Sequence, residues 1–576
     1  MRLRGTVLVL FVALGIATAA FAADVDWPMA RYDEAQSGFT PQHLDLPLTL
    51  SWQHNTTKFA DNTSAPAVVG GVVYFASGNR LYAVDAATGA LKWVYPSSDA
   101  LSFNIKTGIT VWEDLVLFGG TDGTLYAVRA ADGRTAWAFP TRGPIRSSPI
   151  VSGGTVFVGS DDNSLYALDA STGEMIWTGG FRTNDDVQAT PALTPGLVIF
   201  ASMDTNVYAA NVATGRTRWS YRLPMSPIRS APVISGNLAY IATGHAISAL
   251  STKNGQPRYT INLPSDVVAS PAVAGNDLYV LCRDRKLYSY IAGTVGPKPK
   301  WAQPAVLGQA STTPPTVAGD IVFVGCLRGL ICAYSAEDGH LLWSYTVAPS
   351  NAGNTGQRSD FTNLDAPLVV ADGALFALTD DGALHCFTSR APDNTPPKIY
   401  NVTPTASAAM SGSPPITVSA IIYDESTGVD PASVELLLDK EKVEYKFDPT
   451  KLLLRYDTPV TQPLRPLADG RHNLTILAKD WKGNQLEYAW SFIVDNTLPP
   501  RTPPRAATQT PQPTTPQRDR RGRTGRSRRS ETPTPPAPLS PPSSSPSVAP
   551  GPGAPPAPPP MPPGYRAPPG APPGGS

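Results

Sequence analysis

The stretch PIVSGGTVFVGSDDNSLYALDASTGEMIW, Pro149 to Trp177, divides into four strand candidates. Pro149-Ile150-Val151 opens it, and Gly153-Gly154 turns the chain. Thr155 to Gly159 alternates with the period of two that a pleated strand imposes. Asp162-Asn163 sit where a tight hairpin needs residues tolerant of positive φ. Leu165 to Ala170 reads as a third strand. Thr172-Gly173 turns again, with Gly free to take a left-handed conformation, and Met175 to Trp177 begins a fourth strand.

The unit recurs. Pro66 to Trp93 reads PAVVGGVVYFASGNRLYAVDAATGALKW, and the closing aromatic returns at Trp52, Trp93, Trp137, Trp177, Trp219, Tyr259, Trp301 and Trp343. The intervals are 41, 44, 40, 42, 40, 42 and 42 residues. Four-stranded units repeating every 40–45 residues are the signature of propeller blades. The last copy, Pro367 to Arg390, lacks the final Gly and Trp, whereas Trp52 in LTLSWQH has no blade before it. The N-terminal strand is therefore expected to complete the last blade and leave no open sheet edge there. The aromatics read as staples between blades, with the small third-strand Ala (Ala83, Ala127, Ala167, Ala209, Ala249, Ala333) giving the ring room.

The string A-x-D-A-x-T-G-x-x-x-W, at Ala83 to Trp93 and Ala167 to Trp177, resembles the tryptophan-docking motif of the PQQ-like propeller superfamily. That superfamily includes quinoprotein alcohol dehydrogenases and BamB-type outer-membrane assembly proteins. Trp27-Pro28-Met29-Ala30-Arg31-Tyr32-Asp33, followed by Ser37-Gly38, is similar to the opening segment of these proteins. The resemblance covers roughly residues 26–390 and implies an all-β, eight-bladed propeller. Blade 6 departs from the motif, with SYIAGTVGPKPKW two residues longer. WD repeats are excluded, because no Gly-His and Trp-Asp pair marks the blades.

Beyond a linker at 391–396, residues 397–497 carry strand candidates at Ile416–Tyr423, Ser433–Leu438, Leu452–Tyr456, His472–Lys479 and Glu487–Val494. Short strands at this density point to a β-sandwich. YDESTGVD and ADGRHNLTILAKDWKGN resemble a bacterial Ig-like domain. Asp424, Asp430 and Asp480 offer oxygen ligands for Ca²⁺, but turn chemistry around Gly483-Asn484 explains them better, so no metal site is assigned.

Formal charge is zero, yet it is unevenly spread. From Thr497 on there are ten Arg and two acids, and Arg2 and Arg4 sit in the first 22 residues, leaving the body at a net −10. An acidic body argues against a nucleic-acid-binding propeller. Residues 498–576 hold 27 of the 61 Pro and almost no bulky apolar residues, a composition expected to stay disordered. Its run Arg518 to Arg529 concentrates seven Arg and suits either a solvated spacer or contact with an anionic polymer.

Arg2 and Arg4, the apolar run Thr6 to Ala17 and the small residues of Ala20-Phe21-Ala22 read as a secretory signal over residues 1–22. The mature chain is expected to begin near Ala23, without a membrane span, in the periplasm, on the cell surface or outside the cell. Cys282, Cys326, Cys332 and Cys386 read as small buried hydrophobes rather than disulfides. A two-residue turn at Arg328-Gly329 would set Cys326 opposite Ile331 and Cys332 on the other face.

The superfamily's enzymes, as the resemblance implies, use an adjacent Cys-Cys pair, a Ca²⁺ site and a catalytic Asp. This chain has no adjacent Cys pair and no C-x-x-C-H haem motif, so no catalytic set and no cofactor are assigned. The expected function is a propeller scaffold for a protein partner in the cell envelope. The alternatives are a quinone-dependent dehydrogenase and a glycan- or cell-wall-binding surface protein. Candidate partner-binding residues lie in the loops leading into first strands. Pro144-Ile145-Arg146-Ser147-Ser148-Pro149 and Pro227-Ile228-Arg229-Ser230-Ala231-Pro232 match closely, and Arg142, Arg182 and Arg222 belong to the same class of loop. BamB-type proteins hold their barrel partner through loops that include an Arg-Gly loop, and Arg142-Gly143 is similar.

Overall fold

Short, glycine-turned hairpins with alternating buried side chains account for most of the architecture. The computed structural model describes residues 25–56, 64–224, 228–293, 296–348, 362–463 and 465–500. The signal segment 1–22 and the tail from residue 501 on lie outside the described residues. Among the described residues there are two short 3-10 turns and no α-helix, and no helix is long and apolar enough to cross a membrane.

The first sheet joins Ala67–Val69, Val72–Ser77, Arg80–Asp85 and Leu91–Tyr95 in sequence order. Seven more sheets of this kind follow, with first strands beginning at Thr110, Ile150, Ala192, Val233, Ala272, Thr316 and Val369. They are blades 1 to 8 of a β-propeller. Each core lies between neighbours: Val68, Phe75 and Val84 of blade 1 pack with Val369, Phe376 and Leu384 of blade 8. That contact closes the ring. The N-terminal strand Thr49–Asn55 pairs antiparallel with Ala383–Thr388 of blade 8, Trp52 opposite Cys386, as the unpaired first aromatic required.

The joints between blades have a common chemistry. Trp93 Nε1 donates to Ala130 O at 2.7 Å, Trp137 Nε1 to Ala170 O at 2.9 Å, and Trp177 Nε1 to Val212 O at 3.0 Å. Trp52, Trp219 and Trp301 do the same onto Ala86, Thr252 and Ala336. Each indole lies over the turn glycine of the next blade. A Cβ on Gly173 would come within 2.7 Å of the Trp137 ring, and Gly173 has φ +74°. Two independent demands, conformation and space, thus require Gly there. The third-strand Ala sits across the sheet from the aromatic of its own blade, as Ala83 does from Trp93. Tyr259 departs: its hydroxyl meets Tyr240 at 3.2 Å, and it faces blade 6, whose turn lacks the motif.

Blade 3, the copy with the clearest repeat, corrects an expectation. Met175 to Trp177 does not start a regular fourth strand. Met175 makes an isolated bridge to Leu168, and the strand is Phe181–Arg182, beyond Gly179-Gly180. Two consecutive residues with positive φ break the extended path.

The cysteines correct another. A three-residue 3-10 turn, Leu327–Gly329, joins the strands, so Cys326 N–H pairs with Leu330 O rather than facing Ile331. The one-residue difference brings Cys326 and Cys332 to the same interblade core. All four cysteines are free and buried. Burial pushes the Cys282 and Cys386 thiols up to about 12, as expected of small hydrophobes.

The segment 25–40 crosses the ring and laces it together. Its backbone bonds to Val68, Val111, Leu193, Ile234, Val273, Val317, Gly319 and Asp372, residues of blades 1, 2, 4, 5, 6, 7 and 8. Met29 packs against Ile150 of blade 3. Arg31 is buried in this segment and donates to the carbonyls of Gln36 (3.0 Å), Ser270 (3.2 Å) and Pro271. Burial pulls its guanidinium down to about 10, still charged at neutral pH. One end of the central channel is thereby closed.

Residues 398–494 form two sheets around one core that includes Val418, Ile422, Leu436, Leu454, Ile476, Trp490 and Phe492. The predicted strands appear at Thr417–Tyr423, Glu435–Leu438, Leu453–Asp457, Gly470–Lys479 and Gln485–Val494. This unit is fastened to blades 7 and 8. Trp343, the last docking aromatic, donates to Thr427 O at 3.1 Å, and Leu50 N–H bonds to Ser426 O at 2.9 Å. Trp481 Nε1 returns a bond to Ser344 O at 2.9 Å. The receiving loop, Asp424-Glu425-Ser426-Thr427-Gly428, repeats the Asp-x-x-Thr-Gly of the blades. Asp424 Oδ1 accepts the Thr427 N–H as Asp169 Oδ1 accepts that of Thr172. A loop from the second unit thus supplies the socket that blade 8 lacks.

Candidate functional site

The loops that lead into first strands follow a frame of apolar anchor, long polar residue, two small residues and strand. Ile105, Ile145, Val187 and Val267 are buried or half-buried anchors. Their N–H groups bond to Gly78, Gly120, Ser160 and Gly244 carbonyls at 2.8–3.1 Å. Each anchor fixes the next residue at the inner wall of the ring. Lys106, Arg146, Gln188 and Val268 are placed in this way, and Arg229, which follows the buried Ile228, lines the same central cavity.

That cavity holds about 460 Å³. Ala30, Arg31 and Gln36 form its floor, and Ser148, Thr190, Ser230, Ser270 and Thr312 add hydroxyls to its wall. Among the described residues its lining contains Arg31, Lys106, Arg146 and Arg229 and no Asp or Glu, while Asp161, Asp186 and Asp365 bond to the lining side chains of Arg146, Gln188 and Thr312. Ser230 Oγ already donates to Ala242 O at 2.8 Å and Thr312 Oγ1 to Asp365 Oδ1 at 2.9 Å, whereas the other three hydroxyls are preset as donors. Ser148 Oγ accepts Gly108 N–H at 2.8 Å, Ser270 Oγ accepts Ala231 N–H at 2.9 Å, and Thr190 Oγ1 accepts Ser148 N–H at 3.2 Å. A hydroxyl whose lone pair receives a backbone N–H keeps its own proton to give.

The five candidate arginines fall into two groups. Arg146 and Arg229 line the cavity. Arg146 Nε is paired with Asp161 Oδ2 at 2.8 Å, whereas the Arg229 side chain makes no hydrogen bond or ion pair among the described residues. Arg142, Arg182 and Arg222 do not line it. Arg142 is exposed, with its backbone N–H on Asp162 Oδ2 at 3.0 Å. Gly143 after it is needed, because a Cβ would lie 2.6 Å from Asp162 N. Arg182 Nη1 approaches Asp162 O at 3.5 Å, and Arg222 Nε reaches Thr205 Oγ1 at 3.2 Å. These side chains gather around the second hairpins of blades 3 and 4, on the face where the cavity opens. Acids share this rim: burial and the charges of Asp161 and Asp185 raise the Asp186 carboxyl above its usual range.

Lys106 and Gln188 are site residues the repeat reading missed. The signal was present, because IKTGI and VQATP occupy the frame of IRSSP and IRSAP, but the missing Pro in IKTGI obscured it. The carboxylate trio is also corrected. Asp430 caps the short turn at Pro431–Ser433. Asp393 takes its place beside Asp424 and Asp480, with carboxylate oxygens within 4.8 Å of one another. The chain's own groups fill these carboxylates: Thr395 and Thr427 on Asp393, the 426–428 amides on Asp424, and Asn484 on Asp480. The tertiary proximity spans the linker, which is why local spacing pointed to Asp430 instead. His385 is buried beside Phe387, and burial lowers its imidazole to about 4, so it is a neutral packing residue.

A family profile described as "Outer membrane protein assembly factor BamB" matches residues 80–243 and 225–411, more than half of the chain. Outer membrane protein assembly factor BamB of Legionella pneumophila (strain Paris) is 28% identical over 214 residues, 36% of this chain and 46% of that protein. A 1-butanol dehydrogenase (cytochrome c) of Thauera butanivorans is 28% identical over 186 residues, 30% of this chain and 21% of that protein. The chain spans less than half the length of either curated relative in these matches. Among solved structures, BamB from Moraxella catarrhalis overlaps 61% of this chain and all of that chain at 16% identity, with a TM-score of 0.48. A quinohemoprotein alcohol dehydrogenase from Pseudomonas putida HK5 overlaps 66% and 84% at 15% identity, with a TM-score of 0.50. At these identities the structural likeness concerns the fold alone.

Proposed function

Because the chain belongs to the family described as outer membrane protein assembly factor BamB, we propose that it is an exported, non-catalytic propeller scaffold that holds a protein partner in the cell envelope. The observation that carries this reading is the arginine-bearing rim on the open face, opposite the face closed by residues 25–40. Arg142, Arg182 and Arg222 stand exposed there, and Arg suits such a place because its planar fork grips carboxylates with two hydrogen bonds. Interface arginines are frequent hot spots, where truncation costs ~2 kcal/mol or more. The second unit, read as an Ig-like sandwich, extends the scaffold. The Arg-rich tail is assigned to an anionic envelope polymer.

The test is capture from envelope extract with the intact protein and with Arg142→Ala/Arg182→Ala/Arg222→Ala, captured proteins being identified by mass spectrometry. The triple variant is expected to melt unchanged and to lose most of the specific partner. Equal capture by both proteins would overturn the rim assignment. The likeness to 1-butanol dehydrogenase favours a second reading, a quinone-dependent dehydrogenase. Dye reduction with an alcohol after adding PQQ and Ca²⁺ would establish that reading in place of the scaffold.

A further inference from the structure

We infer that the central cavity seats an acidic segment of the partner, with its aspartate or glutamate carboxylates against Arg229 and the hydroxyls of Ser148, Thr190 and Ser270. This rests on the scaffold reading and names the chemistry of its contact. Among the described residues the lining has four cations and no carboxylate; Arg31 is spent on backbone carbonyls and Arg146 on Asp161, which leaves Arg229 in front, with Ser148, Thr190 and Ser270 each keeping a proton to donate. The Gln36 and Gln188 side-chain oxygens are acceptors in this wall, but its charge is positive and three of its hydroxyls keep a proton, so its complement is a group of acceptors carrying negative charge. A cation or a neutral donor would leave these groups unsatisfied.

The volume of about 460 Å³ is in the range of specific ligand sites. Two features favour a chain end or loop over a free small anion. The cavity is open above, and positive charge continues from Arg229 onto the rim at the exposed Arg222, which ends the strand leading to the Arg229 loop, beyond the reach of a molecule confined inside. The acids of the rim also set a direction. Asp161, Asp185 and Asp186 crowd the Arg146 side, so an acidic segment enters past Arg229, on blade 5. Arg146, already held by Asp161, contributes less.

The experiment measures fluorescence anisotropy of a labelled Glu-rich octapeptide, with a Gln-rich octapeptide and citrate as comparisons, on the full mature chain. The Glu peptide should bind saturably and weaken as salt is raised. Arg229→Ala should cut affinity tenfold or more, Arg229→Glu should abolish binding, and Arg229→Lys should restore part of it, all with unchanged melting. Arg146→Ala should cost less than Arg229→Ala. Equal binding of the Gln peptide, or Glu-peptide affinity indifferent to Arg229, would overturn the inference. So would saturable citrate binding without peptide binding, which would give the cavity to a small polycarboxylate. If the peptide fails while envelope capture still depends on the rim, the scaffold stands and only the cavity assignment falls. If the peptide binds and capture is indifferent to the rim, the reverse holds.

Discussion

Six joints of the propeller and its seam solve one problem with different parts. At the regular joints an indole crosses from the outer part of one blade to the turn of the next, 33 to 37 residues along the chain. At the seam Trp343 crosses 84 residues to Thr427, in a separate two-sheet unit. The regular indoles range from buried to half-exposed, whereas Trp343 is wholly buried, because the second unit covers it. A propeller joint is thus defined by a socket, a turn with a carbonyl to accept and no side chain in the way. The socket need not come from the next copy of the repeat.

The comparison can be broken most severely at the N-terminus. A chain starting at residue 64 loses both the strand that closes blade 8 and the segment that laces the channel. It is expected to aggregate, as size exclusion and circular dichroism would show; a stable monomer with unchanged melting would refute closure by the N-terminal strand. Next in size, Trp343→Ala should cost ~3–5 kcal/mol in urea unfolding. Trp137→Ala should cost about half as much, because part of its ring stays in water. Equal losses would mean that the second unit adds nothing at the seam.

A third test uses pH. His385, in the blade that lacks its own socket, stands where Tyr82 and Tyr166 stand in blades 1 and 3. Burial holds its folded pKa at about 4, below the ~6.5 of an unfolded histidine. The unfolded chain binds the extra proton, so this group's penalty is absent above about pH 7 and grows as pH falls towards 4. It should reach roughly 3 kcal/mol. His385→Phe should flatten that part of the stability profile; an unchanged slope would assign the acid sensitivity elsewhere.

The smallest expected effect separates space from conformation. Gly173→Ala meets both positive φ and the Trp137 ring, whereas Gly153→Ala meets positive φ with nothing nearby. Gly153→Ala should cost about 1 kcal/mol and Gly173→Ala clearly more. Equal melting shifts would show that the indole yields.

How much could be read in advance follows from the range of each interaction. The blade period, its turn glycines, the docking aromatics and the return of Trp52 to blade 8 were legible, because a blade is made of hairpins whose partners lie within a few residues. The alternation of the second unit's strands was legible for the same reason. The fourth strand of blade 3 was misplaced, since Gly179-Gly180 interrupts a motif that otherwise matches well.

The sequence by itself thus determined the repeat, the ring and the element that closes it, because local pairing and period-two burial are written along the chain. Only the tertiary structure decided which loop receives Trp343, which faces Cys326 and Cys332 share, and why Asp393 rather than Asp430 joins Asp424 and Asp480. It alone showed that Lys106, Arg146 and Arg229 share one cavity whose floor is Arg31 and Gln36. Those neighbours are brought together by the curvature of the ring and by packing between units, and residues that meet across tens or hundreds of positions leave no periodic trace of their meeting.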